Sequence, residues 1–445
     1  IHEPIRDEAI LLLMAIVKDS PHVQKLVAFE NIFERLFAII EEEGSLRGSV
    51  VVNDCLSLIN NILSYNTSNQ TLFLETGNLP KLAHLLNQPL ITEDETGPVE
   101  FFWNDQRIVN MNTCLDIVSL TVEQGNSVTK KHQDTLLGSN ILMIVLRLAF
   151  YYNIPKRIRP VALLTAADMI RENEMCQVEF GKIDVPFFDP SVNSPSSNND
   201  AQPTQVISLL VNWILYANSV HTFDTRMAAL TLLKAYFSSN HLLQVDFINK
   251  QIASYNNPID ELTHQEDELE SNEQNTEGDD YTNSQQENAV PSNIFDVILN
   301  YDMDLSLNPF KLFFSTDILT FIFDSSKEYT STNNDANEDI IEIVRSMKVG
   351  GNIDDEEPLT AIETIGELLL TYLNSGQIRL SISYLTFLIS WLYGDLNAVN
   401  DFVSSRATLQ ALLAFSYQID DEDITVKCLV SMLLGIAYEF CSKTS

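Results

Sequence analysis

The chain is 445 residues long and carries 26 Lys or Arg against 62 Asp or Glu, a formal net charge of −36. That length exceeds one compact core and calls for several domains or one elongated array. So acidic a chain is a poor match for nucleic-acid phosphates or an anionic membrane face, both of which demand basic surface, and protein partners are favoured instead. With only 14 Gly and 15 Pro it is too poor in turn residues for an all-β fold of this size, so helices are expected.

Helical periodicity begins at once. Ile5 to Ile40 reads as three helices, the first with Ala9, Leu12, Leu13, Ile16 and Val17 on one face, the second opened by Ser20-Pro21, the third holding Ile32, Leu36, Ile39 and Ile40. Val50 to Leu86 repeats the layout most clearly. Cys55, Leu58, Ile59, Ile62 and Leu63 fall at i, i+3, i+4, i+7 and i+8, Ser68 and Asn69 are the candidate N-caps of a short second helix, and Gly77 with Pro80 opens a third. Such a three-helix unit cannot bury its own apolar surface, so copies must stack on both sides. The acidic connector Asn87 to Asn104 follows, with Phe101, Phe102 and Trp103 expected to pin it to the array. Arg107 to Leu148 and Pro155 to Glu179 continue the series.

Asp184 to Pro203, rich in Pro, Ser, Asn and Asp, reads as a surface loop. Helices resume over Val206 to Leu215 and Arg226 to Phe237. Ser254 to Asn293 contains eleven Asp or Glu and no Lys or Arg, and predicts a disordered acidic segment, since its few aliphatic side chains cannot offset the entropy lost on ordering. Ser325 to Asn337 is a second polar break. Leu359 to Leu373 and Ile378 to Tyr417 return to strong helical pattern, and Ile424 to Phe440 should close the array with one polar face to water. The expectation is an all-α armadillo or HEAT-like α-solenoid, a right-handed superhelix of about eight to ten repeats at the usual ~40 to 47 residues each, forming a single head domain over residues 1–445 with insertions near 87–104, 184–203, 254–293 and 325–337.

The chemistry-bearing patterns are missing. No G-x-x-x-x-G-K-[ST], G-x-G-x-x-G, G-x-S-x-G or H-E-x-x-H occurs, no C-x-x-C pair exists, and the seven His are scattered, so no catalytic, cofactor or metal residue is assigned. His264 beside Glu266, Asp267 and Glu268 is the nearest thing to a metal cluster, and reads as adventitious at most. Five Cys, an odd and scattered set, read as buried free thiols of a reducing compartment. The apolar run Ala9 to Val17 lacks the basic flank of a signal peptide and reads as a buried helix. No apolar run reaches the ~18 residues of a membrane span. The absence of an initiating Met and a start at the edge of a helix suggest an excised fragment.

Two candidate contact sites remain. If the helix holding Leu58 to Ser64 is the third of a unit, Asn61 stands where peptide-binding armadillo proteins place a ligand-bonding asparagine; the plain alternative is an exposed or capping Asn. The Trp that such proteins set four residues before that Asn is lacking, because Trp103, Trp213 and Trp391 are followed at that distance by Arg107, Ala217 and Asp395. Lys156, Arg157 and Arg159 form the densest basic cluster, either a partner-facing patch or a solvated corner that neutralises nearby carboxylates.

The segments Val23 to Ile40, Asp54 to Leu82, Phe101 to Met111 and Cys428 to Phe440 resemble the globular head of the general vesicular transport factor family, most nearly in its yeast form. The resemblance implies an armadillo-repeat head that sits on a long coiled coil absent from this fragment and tethers vesicles between the endoplasmic reticulum and the Golgi. It also implies SNAREs, the Rab-type GTPase pathway and Golgi matrix or other tethering factors as partners, homodimerisation of the intact protein, and a cytoplasmic location peripheral to Golgi, reticulum and vesicle membranes. The competing class is an armadillo-type peptide or cargo adaptor, such as a nuclear-import-like receptor.

Overall fold

A computed structural model describes residues 3–91, 93–94, 97–98, 101–151, 153–186, 203–217, 222–257, 293–332, 339–350, 358–417 and 424–441. Among these, 22 α-helices account for nearly all regular structure. Three two-stranded antiparallel pairs add short ribbons: Glu93–Asp94 with Gly97–Pro98, Asp184–Pro186 with Pro203–Gln205, and Lys348–Val349 with Leu359–Thr360. Each closes the foot of a connector, the first two on the expected insertions 87–104 and 184–203. The residues divide into two compact units, Ile1–Ser239 and Asn240–Ser445.

In the first unit, α1 (Glu3–Val17) precedes four triplets: α2 (Pro21–Phe29), α3 (Ile32–Glu42) and α4 (Val50–Leu63); α5 (Thr67–Glu75), α6 (Asn78–Asn87) and α7 (Asp105–Thr121); α8 (Thr129–Gly138), α9 (Ile141–Phe150) and α10 (Arg159–Ile170); α11 (Glu174–Gly181), α12 (Val206–Tyr216) and α13 (Phe223–Phe237). Like packs on like. The third helices α1, α4, α7, α10 and α13 form one ladder, the first helices α2, α5, α8 and α11 a second, and α3, α6 and α9 a third. In α4 the apolar stripe read from the sequence is fully buried, Cys55, Leu58, Ile59, Ile62 and Leu63 all at 0% exposure, at roughly 1.5 to 3 kcal/mol for each large aliphatic side chain.

The second unit repeats the scheme with three triplets: α14 (His241–Asn256), α15 (Ile294–Leu299) and α16 (Phe310–Thr332); α17 (Ile340–Arg345), α18 (Ala361–Asn374) and α19 (Ile378–Leu392); α20 (Leu396–Ser404), α21 (Arg406–Ser416) and α22 (Ile424–Glu439). Here α16, α19 and α22 make the third-helix ladder. Seven triplets and α1 are thus formed among the described residues, where repeat length suggested eight to ten. Residues 187–202 and 258–292 lie outside the described residues, and with them His264 and most of the acidic segment.

The corners between third and first helices share one backbone solution. Ser64-Tyr65-Asn66, Arg171-Glu172-Asn173 and Tyr393-Gly394-Asp395 each place an extended residue, then a left-handed one (φ 55°, 58° and 77° in turn), then an N-cap. The caps accept from the amide three residues on, Asn66 from Asn69, Asn173 from Cys176 and Asp395 from Ala398, which satisfies an otherwise orphaned N–H. Asn66, one turn earlier than the expected Ser68 or Asn69, therefore caps α5. Gly77, at φ 76°, makes the left-handed entry to α6 as its sequence position suggested.

Four other expectations are corrected. In α1 the buried residues are Ile10 and Val17, while Leu12 and Ile16 are 61% and 47% exposed, because an unbroken apolar run leaves the choice of face to tertiary packing. Ser325 to Thr332, read as part of a break, is the last part of α16. Several of its hydroxyls bond back into the helix, Ser325 to Phe321 O and Thr330 to Ser326 O, so these polar residues find acceptors without leaving it. The outer face of α22 is mixed rather than polar, with Ile424 62% and Met432 55% exposed beside the exposed Cys428, Thr425, Ser431 and Glu439. Cys428 and the half-buried Cys441 also depart from the expected burial, whereas Cys55, Cys114 and Cys176 are buried, their thiols pushed up to about 12 by desolvation.

Candidate interaction surface

The third-helix ladder of the first unit carries a cavity of about 410 Å3 between α4, α7 and α10. Asn60 from α4, Asp116 and Ser119 from α7, Asp168 from α10, and Glu123 just beyond α7 line it, over Leu120 and Val122. Partial burial raises the carboxyls of Asp116 and Asp168 above their ordinary range; for Asp168 a hydrogen bond from Ser119 and Arg171 at 3.6 Å oppose the rise. Asn61 is not a lining residue. One step round the helix, it is half-buried, and its carbonyl accepts 2.9 Å from Gln24 Nε2 of α2. Its neighbour Asn60 is the amide that reaches the cavity, with its own Oδ1 accepting from Ser64.

The three basic residues of the 156–159 stretch separate. Arg159, the first residue of α10, is 3% exposed and donates to Ala149 O (2.9 Å) and Tyr151 O (2.8 Å), closing the C-terminus of α9. Desolvation pulls its guanidinium down to about 10. Arg226 near the start of α13 does the same for α12, donating to Ile214 O and Leu215 O. Such an arginine satisfies orphaned helix carbonyls and faces no partner, so its place in a contact patch is withdrawn. Lys156 and Arg157 stay exposed, and Arg157 meets Asp105, the first residue of α7, at 3.1 Å. That pair is almost fully solvated, so it contributes little to stability and leaves the guanidinium exposed.

What the sequence reading missed is a set of buried glutamines on the first helices. Gln24 donates to Val17 O and Asn61 O, Gln70 to Leu63 O, Gln133 to Asp168 O and Arg171 O, and Gln177 to Ala235 O and Ser238 O. In α2, α8 and α11 the amide ties the first helix of a triplet to the frayed C-terminus of its third. A signal existed: Ser20 and Gln24, Asn66 and Gln70, and Asn173 and Gln177 each stand four apart, a capping position followed by a buried amide. His132, beside Gln133, is buried between Thr121 O (2.7 Å from Nδ1) and Thr71 Oγ1 (3.0 Å from Nε2).

Stacked helical triplets and two corner devices repeated along them place the chain among all-α repeat scaffolds of armadillo type. Its relatives are specific. Residues 173–445 match the family described as Uso1/p115-like vesicle tethering protein, head region, and the chain belongs to that family. The Saccharomyces cerevisiae intracellular protein transport protein USO1 is 61% identical across the whole of this chain, which spans 25% of that relative. Human general vesicular transport factor p115 is 30% identical over 57% of this chain and 24% of its own length. The crystal structure of Uso1-1 superposes with a TM-score of 0.84 at 60% identity, covering all of this chain and 61% of that one. The chain therefore spans about a quarter of the length of the curated relatives it matches.

Proposed function

We propose that this chain is the docking head of a non-enzymatic vesicle tether acting between the endoplasmic reticulum and the Golgi. The observation that carries the reading is 61% identity, across the whole of this chain, with an intracellular protein transport protein, together with superposition on the Uso1-1 crystal structure at a TM-score of 0.84. The physical basis is preorganisation. Corners fixed by left-handed residues, caps and buried amides lose little flexibility on docking, so contact energy is not consumed by ordering the surface. Partners on this reading are SNAREs, GTPases of the Rab type and other tethering or Golgi matrix proteins, with homodimerisation belonging to the intact molecule. Location is cytoplasmic and peripheral to the membranes. Among the described residues no single helix is long and apolar enough to cross a membrane.

The carboxylate-lined cavity favours a second reading, an adaptor for basic peptides, but the Trp residues do not support it: Trp213 and Trp391 are fully buried in packing roles, and Trp103 lies against Phe101. Pull-down of the chain with GTP-loaded Rab GTPases and assembled SNAREs, against basic localisation peptides, separates the two. Capture of the trafficking proteins is expected, and capture of the peptides alone reverses the assignment.

A further inference from the structure

Positive charge in this acidic chain is not scattered evenly. The stretches that lead into the third helices of the first three triplets, residues 44–49, 101–107 and 151–159, hold Arg47, Arg107, Lys156, Arg157 and Arg159 beside Asp105, although Glu43 and the acidic part of the 87–104 connector precede the first two. The whole chain has more than twice as many acids as bases. Arg159 turns inward, and the other four form an edge whose continuity is geometric. Arg47 and Arg107 bracket the Phe101 ring from two corners, their guanidinium carbons 5.4 Å and 5.7 Å from its centroid. Asn110 Nδ2 donates to Leu46 O and Gly48 O, locking the corner of Arg47 to the start of α7. Arg157 reaches the same start through Asp105.

The aromatics divide the work. Phe101 is 7% exposed and packs edge-on to Trp103 at 4.7 Å, so it anchors the edge. Phe102 is 73% exposed, and its carbonyl accepts from Arg107 Nη1, which ties its backbone to the start of α7. Arg107 Nε is buried and finds no acceptor among the described residues. An exposed phenyl ring on a corner that also carries arginines is a surface that a carboxylate-rich segment with an apolar side chain complements: the acids meet Arg and Lys, the apolar group covers Phe102.

We propose that this corner edge, built from Arg47, Phe102, Arg107, Lys156 and Arg157, docks an acidic, partly apolar polypeptide segment of a partner. A polypeptide fits better than a lipid surface. At physiological salt charges are screened beyond about 8 Å, so an extended acidic strand profits from these few cations alone, while a membrane plane also meets the field of a chain with far more acids than bases. The proposal rests on the docking reading above and deepens it with a place and a partner chemistry.

The test is fluorescence anisotropy of a short peptide of Glu-Glu-Leu repeats titrated with the chain, repeated with a Lys-Lys-Leu peptide and with phosphatidylserine vesicles. Saturable binding of the acidic peptide, weakened by salt, is expected. Lys156→Glu with Arg157→Glu should weaken it roughly tenfold or more, and Phe102→Ser should weaken it without changing the salt dependence. Lys18→Glu with Lys25→Glu makes the same charge change at the corner of α1 and α2, and should leave binding near that of the parent. All three variants alter exposed side chains, and an unchanged melting curve confirms that each is folded. No binding of the acidic peptide, equal loss in both double variants, or binding of the anionic vesicles in place of the peptide overturns the proposal. Because no trafficking protein takes part, a chain that captures Rab GTPases and SNAREs yet ignores the peptide sinks this edge alone.

Discussion

Replacing Gln177 by Leu removes the hydrogen bonds of its amide and nearly keeps the shape of the side chain. The side chain is 1% exposed, its Nε2 lies 2.9 Å from Ala235 O and 2.8 Å from Ser238 O, and Leu fills nearly the same volume. Both carbonyls belong to the end of α13; Ala235 O also accepts from Ser238 N and Oγ, so the loss falls mainly on Ser238 O. Leaving that buried acceptor unpaired costs about 1 to 3 kcal/mol, and Leu regains part of it through its apolar transfer, so a net destabilisation of roughly 1 to 2 kcal/mol is expected. For a unit of this size each kcal/mol moves the melting temperature by about 2 to 4 °C, which places the shift at roughly 2 to 8 °C. Calorimetry measures the shift. Native-state hydrogen exchange locates it, with the amides of α11 and the end of α13 losing protection first. A variant within about 0.5 kcal/mol of the parent, or exchange that quickens evenly over the first unit, refutes the view that the glutamines hold the triplets closed.

The basic stretch should split by mutation as it does by burial: Arg159→Met loses roughly 2 to 4 kcal/mol through the stranded carbonyls of α9, whereas Lys156→Glu with Arg157→Glu changes urea stability by less than about 0.5 kcal/mol. Tyr65→Gly, which replaces a left-handed tyrosine by the residue used at Gly394, should stabilise the first unit by about 0.5 kcal/mol in chemical denaturation, since relief of αL strain outweighs the added chain entropy. A loss of stability there contradicts the assigned corner. His132 is held below the ordinary imidazole value by desolvation, partly offset by its bond to Thr121, so the unfolded chain takes up a proton more readily than the folded one. Its contribution is complete above the unfolded value and is lost as the pH falls through about 6.5 toward the folded value. His132→Asn, copying Asn69 at the matching place in α5, should flatten the stability profile between pH 7.5 and 5.5, and an unchanged slope argues against the assignment.

How far the sequence could be read depended on whether one face of a helix was apolar. The triplet α4 to α6 is plain because polar residues interrupt its apolar stripe at helical spacing and Gly77 marks the turn. In α1 the run Ala9 to Val17 carries no such interruption, and periodicity alone selected Leu12 and Ile16, which packing leaves outside. The end of α16 at Thr332 was obscured for the opposite reason: its last turns are Ser, Thr, Lys and Glu, held by back-bonding hydroxyls and by Lys327, whose Nζ donates to the carbonyls of Ser390, Trp391 and Tyr393 at the end of α19. The candidate surface was half legible. Three cations within four residues announced a patch, but only the helix start at Arg159 decides which of them turns inward, and the contribution of Arg47 comes from a corner more than a hundred residues away. Asn61 was one position from Asn60, a difference of about 100° round the helix that spacing cannot resolve without a fixed frame.

The most direct measurement is vesicle capture. The purified chain is fixed to a surface, reticulum-derived transport vesicles are passed over it in physiological salt, and the vesicles retained are counted against a surface coated with the Lys156→Glu, Arg157→Glu variant. Retention by the parent chain, reduced several-fold by the charge reversal, is the expected result. Retention no greater than on a bare surface, with the chain folded and the Rab and SNARE proteins present on the vesicles, contradicts a docking head.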